Sequence, residues 1–274
     1  MRYLFTFLHF SYIKTYILLI NASSLLPYQS ERRLRHMYNL DEPACWLEND
    51  GARITPFYAQ EVFCQGSPTW LSYLCSRANS TFTVIVDCRL YIQRMCTVAF
   101  PDVQAMLHID GIEVAALVTD VRIGETLLEF EGVYDGDEAI RPFRFEKLRM
   151  KENGYKPCDE ILRGLGHIKV ELRRARLKGP RASTDDVKLS RLHQRPYDEE
   201  KVKLKLAHVA NLHRKQEVES TNETWNLTTD PQDDNPFYAF LFKHNSEAVW
   251  RASGHLRRNR HEPVLGSEKN PIIL

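Results

Sequence analysis

Gly166-His167-Ile168-Lys169-Val170-Glu171-Leu172-Arg173-Arg174-Ala175-Arg176-Leu177 is the stretch whose reading decides the fold. Over residues 168–172 apolar and charged residues alternate strictly, the period of a strand with one dry and one wet face. Gly164 and Gly166 punctuate its start, and Gly179-Pro180 marks its expected end. Segments before it read as short strands that can pair around it. The chain beyond it reads mostly as linker, then one further strand and a short helix.

Towards the N-terminus the strongest local signal is Ala105-Met106-Leu107-His108-Ile109-Asp110-Gly111-Ile112-Glu113-Val114. Asp-Gly between two apolar runs suits a type I′ turn, whose central residues both need positive φ, so a tight hairpin is expected. Ala44-Cys45-Trp46-Leu47-Glu48 running into Asn49-Asp50-Gly51 is a strand followed by a turn. Residues 58–64 are a second candidate strand, and 82–88 a β-branched, alternating third. Residues 65–80 carry no clear period. Two more strands are expected near 126–133 and 140–150, with Pro142 at an edge or a strand start. Between them, Asp135, Asp137 and Glu138 lack the ligand offsets and closing glutamate of a calcium loop and read as a solvated turn.

Towards the C-terminus, residues 178–199 and 217–235 read as flexible polar segments. Val202-Lys203-Leu204-Lys205-Leu206 reads as an edge strand with lysines on its wet face. Pro236-Phe237-Tyr238-Ala239-Phe240-Leu241-Phe242-Lys243 is an aromatic strand, expected beside residues 168–172 with Phe237, Phe240 and Phe242 in the core. Ser246 is placed to cap a short helix over 247–253 with Val249 inward, and Gly254 to stop it. Residues 258–274 read as a disordered tail.

Residues 3–20 form the most apolar run of the 274-residue chain, but Lys14 interrupts it, at a cost of about 2.5–3.5 kcal/mol at the centre of a spanning helix. Three readings stand: an extended gene start with translation from Met37, a signal or membrane anchor, and a docked helix. Residues 1–36 are therefore set apart as an extension, and 37–257 as a single β-rich domain. Lys plus Arg (37) nearly balances Asp plus Glu (36), and a net charge of +1 argues against a general nucleic-acid binder. The six cysteines show no CxxC and read as ordinary, mostly buried thiols, with disulfides only if the chain is secreted. Asn21, Asn79, Asn222 and Asn226 stand in N-x-S/T sequons, which matter only in the secretory pathway.

The order of ACWLENDG, LHIDGIEVA, RPFRFEKLRM, GLGHIKVELRRARL, KVKLKLAHV and PFYAFLFKHNSEAVWRASG resembles a large fungal family of uncharacterised proteins defined by a domain of unknown function. The resemblance covers about residues 43–257. It implies a compact β-rich domain with no established activity, cofactor or catalytic residue, and a natural start close to the first strand.

Gly164-x-Gly166 precedes a strand, whereas phosphate-binding glycines sit between a strand and a following helix, so the nucleotide reading fails. His208 with His213, or His108 with Asp110, matches no standard metal spacing. No G-x-S-x-G, H-E-x-x-H or P-loop occurs, so no catalytic, cofactor-binding or metal residue is assigned and no cofactor is expected. Arg173, Arg174, Arg176 and Lys178 form the sharpest basic cluster, a candidate contact patch weighed against a solvated strand end.

The fold expected is mainly β, an antiparallel sandwich with one short C-terminal helix and long polar loops. The function expected is a non-enzymatic intracellular binding or scaffold domain with a protein partner. A secreted glycoprotein is the alternative and an enzyme of unrecognised type the third reading; a membrane partner is expected only if residues 3–20 are a true anchor.

Overall fold

The computed structural model describes residues 43–134, 139–156, 158–181, 196–198, 207–217, 224–231, 233 and 235–256. The expectations for residues 1–36, 135–138, 202–206 and 258–274, and for Asn21 and Asn222, lie outside them.

Alternating sequence becomes strand wherever one face has something apolar to cover. β1 (Ala44–Asn49) turns through Asp50-Gly51 into β2 (Ala52–Arg53), and β3 (Tyr58–Cys64) pairs with β4 (Ser67–Cys75) as a hairpin. β5 (Thr81–Asp87) runs into a helix that the sequence reading did not anticipate, α1 (Arg89–Met95). β6 (Asp102–Ile109) and β7 (Ile112–Val118) are the expected hairpin, with φ of 50° at Asp110 and 81° at Gly111. Then come β8 (Leu127–Phe130), β9 (Gly132–Tyr134), β10 (Ala139–Lys147), β11 (Met150–Lys151) and the helix α2 (Asp159–Gly164). β12 (His167–Arg181) is the organising strand, followed by β13 (Tyr197–Asp198), β14 (His208–Leu212), β15 (Gln216–Glu217), β16 (Thr224–Thr229), β17 (Tyr238–Asn245) and α3 (Glu247–Ala252).

Among the described residues these strands make two large sheets. One runs β14-β10-β5-β1-β2, with β15 and β9 on β10 and β8 on β5. The other runs β3-β4-β17-β12-β6-β7, with β16 on β12. Their inner faces share one core: Leu47, Val84, Phe143 and Phe145 from the first meet Leu107, Ile168, Val170, Phe240 and Phe242 from the second. The pairings within both sheets are antiparallel except β4 with β17. β17 enters between β12 and β4 and lies antiparallel to β12, and that direction makes it parallel to β4.

Four local expectations are corrected. β12 does not end at Gly179-Pro180; it runs to Arg181 with a register shift between Leu177 and Gly179. Its pairing with β6 stops at Ala175, so beyond that point, among the described residues, it is an edge bordered by β16 alone, where a proline costs no ladder bond on the open side. The polar stretch 217–235 is not a loop throughout, because its threonines build β16 against that same edge. Pro142 is neither at an edge nor at a strand start. It lies inside β10, where its missing N–H faces the break between β14 and β15 and its carbonyl accepts from His213 N at 2.7 Å. In α3 the inward residue is Trp250, not Val249. The indole packs against Phe57 and Tyr73 and donates Nε1–H to Leu74 O at 2.8 Å, burial that a valine does not offer. The cap itself forms as expected, Ser246 Oγ accepting from Val249 N.

Phe240 and Phe242 lie in the core, each 3% exposed, while Phe237 packs against it from the margin, stacked on Tyr91 with ring centroids 4.2 Å apart. Phe240→Ala should therefore lower unfolding free energy by about 3–5 kcal/mol in urea denaturation. A loss under about 1 kcal/mol, the size of a surface substitution, would show that β17 is peripheral.

Candidate functional site

The basic cluster sits where β12 changes neighbours. Its pairing with β17 ends at Leu172 and its pairing with β16 begins at Ala175, leaving Arg173 and Arg174 in the gap. By strand parity Arg174 shares the face of Leu172, so its guanidinium points toward the interior and needs counter-charge. Asp233 supplies it. Its Oδ2 accepts from Arg174 N (3.0 Å) and Nε (3.2 Å), its Oδ1 bonds Arg174 Nη2, and Asp230 Oδ2 stands 3.5 Å from Nε. Arg173 Nη1 donates to Asp233 O at 3.0 Å, and Arg176 Nη2 to Val98 O at 2.6 Å. Burial alone would raise the Asp233 carboxyl, but the hydrogen bonds and charge of Arg174 outweigh it and hold it below its ordinary range. Hydrogen bonding to Asp233 likewise pushes Arg174 up. The four residues are thus brought to one strand but not to one free patch: Arg173 and Arg174, half-buried, tie the segment carrying Asp233 to β12, while Arg176 and Lys178 are exposed, Arg176 reaching Val98 O.

Asp110 does more than turn a hairpin. It is fully buried (0% exposed); Gly166 N donates to its Oδ1 at 2.6 Å and Ala210 N to its Oδ2 at 3.3 Å, while its own N–H donates to His167 O at 2.8 Å. The turn abuts α2 so closely that a Cβ on Gly164 would strike the Gly111 backbone. The Gly164-Leu165-Gly166 punctuation is therefore a close approach of backbones, not a phosphate cradle. The clue available in the sequence was the acid itself, since only a carboxylate offers two acceptor oxygens at the first position of such a turn.

The histidines weighed and set aside as metal partners are apart in role. His208 Nδ1 lies 2.8 Å from Ser76 Oγ, a buried contact that ties β14 to the end of β4. His108 Nε2 lies 3.8 Å from Glu171 on the outer face of the β6–β12 pair, where Lys169 also reaches Glu171 at 2.6 Å. Burial lowers His108 despite the neighbouring glutamates, and burial with Lys243 brings His167 down to about 4. His208 and His108 thus each contact a residue of a neighbouring strand or strand end, which ties those strands together.

Exposed apolar side chains mark a different place. β3 pairs with β4 alone among the described residues, and it carries Tyr58 (44% exposed) and Phe63 (77% exposed). Gln65 and Gly66, at φ of 52° and 83°, close its hairpin with a two-residue turn, so Cys64 and Ser67 exchange hydrogen bonds. Alternation then turns the N–H and C=O of Ala59, Glu61 and Phe63 away from β4, towards the open edge. The opposite edge of this sheet is blunted: β7 bulges at Val114, where the register with β6 shifts. The sequence showed β3 as a strand but not as an edge, because edge status depends on which partner is missing.

The profile of the family described as Domain of unknown function (DUF7918) matches residues 48–259. The chain belongs to this family. No curated protein and no solved structure matches it. The matched span agrees with the 43–257 expected from the order of segments, and takes in β12, the Asp110 turn, the Arg174–Asp233 lock and the β3 edge together. Among the described residues no helix is long and apolar enough to cross a membrane.

Two outcomes are expected. Asp110→Asn should cost about 1–3 kcal/mol by chemical denaturation, although Asn-Gly is the better isolated turn, because an amide leaves one of the two buried N–H groups facing another donor. Asp233→Asn should flatten the acid side of the stability curve. A carboxyl lowered in the folded state stabilises above its unfolded pKa of about 4, and that contribution disappears as pH falls through the lower folded value. Thermal melts from pH 7 to pH 2 read both limbs; identical curves for the two proteins would show that the lock carries no charge-dependent stability.

Proposed function

We propose that the chain is a non-enzymatic binding or scaffold domain, acting inside the cell, that offers the β3 edge to a protein partner. The observation that carries this is the contrast along the second sheet. Arg173, Arg174 and Arg176 of β12 each bond another part of the chain, whereas β3 leaves a row of backbone donors and acceptors beside an exposed phenylalanine. A long edge without proline, lysine or bulge is a template for an added strand. The engagement of Arg173, Arg174 and Arg176 by partners within the chain, with a net charge of only +1, speaks against a nucleic-acid partner.

Six free thiols, with Cys64 and Cys158 exposed, support a reducing compartment. The fungal source implied by the resemblance belongs to the same reading. One observation favours the secreted alternative: Asn79, on a turn at φ 66°, and Asn226, on β16, are both exposed in their sequons.

A photo-reactive phenylalanine at position 63, introduced in the native host, should yield a discrete protein adduct that is lost in the Glu61→Pro background. Glu61→Pro removes an outward N–H without touching a β3–β4 hydrogen bond. No adduct, or one indifferent to Glu61→Pro, would refute docking on this edge; a mass shift on deglycosidase treatment of the isolated protein would move it to the secretory pathway.

A further inference from the structure

Resting on the reading of β3 as a docking edge, we infer that its occupant is an extended strand of a different protein, with a lysine or arginine opposite Glu61 and an apolar residue two positions away opposite Phe63. The edge strand is Tyr58-Ala59-Gln60-Glu61-Val62-Phe63-Cys64, and Glu61 is its one charge. Glu61 stands in register with Trp70, and Trp70 with Phe240, so Glu61 and Phe63 share the face that turns toward the core. Trp70 is partly buried against that core, whereas Phe63, one strand further out, is 77% exposed. An added strand therefore continues the sheet over a place where the core-facing side is apolar and uncovered, with a carboxylate two residues from it. Opposite charges directly across a strand pair stabilise it and like charges oppose it.

The same rule sets aside a second copy of this chain. The antiparallel two-fold register that pairs all seven residues of β3 places Glu61 against Glu61. Slipped registers relieve that clash only by shortening the ladder. A foreign strand with a cation at the centre has neither defect, and its next same-face side chain meets Phe63.

The test uses the full chain and two synthetic peptides of alternating threonine and valine. One carries lysine at its centre with leucine two positions on, and the other has glutamate in place of the lysine. Fluorescence anisotropy should show the lysine peptide binding about three- to tenfold more tightly, the sum of an attraction gained and a repulsion avoided. Glu61→Lys should reverse the preference, an inversion that loss of folding cannot produce. Should that variant not fold, Glu61→Gln should bring the two peptides to equal affinity. Equal binding of both peptides by the native chain, binding of neither, or an unreversed preference in Glu61→Lys overturns the inference. So does a dimer in sedimentation that Glu61→Pro dissolves. If the adduct at position 63 forms while the peptides are not distinguished, the docking edge stands and only the chemistry assigned to its partner falls.

Discussion

One buried carboxyl group holds the two sheets to a common register. Asp110 sits at the tip of the β6–β7 hairpin, yet its two oxygens accept from Gly166, the residue just before β12, and from Ala210 in the middle of β14. β12 belongs to one sheet and β14 to the other, so a single side chain fixes where both strands begin relative to the hairpin. A buried acceptor is favourable only while both N–H groups reach it, and a slip of either strand by one residue would strand a donor in the interior. Gly164 and Gly166 answer to the same constraint. Gly166 adopts φ 75° to present its N–H, and Gly164 has no room for a Cβ beside the turn.

From that fixed start β12 runs for fifteen residues, and its sequence changes character as its neighbours change. Beside β6 and β17 it alternates strictly, because both its sides are paired and one face is dry. At Arg173 and Arg174 the neighbours hand over. There Arg174, half-buried, takes Asp230 and Asp233 as partners, the latter fifty-nine residues further along the chain. Past Ala175 the strand is an edge, and only there does it tolerate glycine, proline and a register shift. What reads locally as a strand that fails is a strand whose surroundings thin out.

Much of the fold was legible for that reason, and the gaps have a common cause. β1, β5, the β6–β7 hairpin, the first half of β12 and β17 each announce themselves by alternation or by Asp-Gly, signals that lie within a few residues of one another. β4 escapes because its buried positions change phase: Ser67 and Thr69 are buried on one face, Ser72 and Leu74 on the other. β14 escapes because four of its five residues are buried, leaving no alternation to detect. β16 is threonine-rich and polar, and becomes a strand because the second half of β12 needs a neighbour. The Arg174–Asp233 lock was less legible still: the basic run was visible and the acids were visible, but their pairing spans fifty-nine residues and depends on where β16 and β17 place the segment between them.

The same separation between local pattern and tertiary setting explains where binding can reside in such a domain. Three of the four charges that looked like a contact patch are engaged within the chain, Arg174 by two carboxylates and Arg173 and Arg176 by backbone carbonyls. Polar contacts that could be mistaken for catalytic pairs, Ser76 with His208 and His108 with Glu171, hold strand ends and strand faces together. What the fold leaves unspent is backbone. A sandwich built from open sheets must end in edges, and the chain treats its edges unequally: β7 is bulged, the tail of β12 is guarded by β16 and proline, and β3 is straight, apolar on the core-facing side and marked by one acid. Edge strands that are merely tolerated are short or charged on every other residue. β3 is neither: one acid in seven residues leaves its outward N–H and C=O groups and Phe63 open to an added strand.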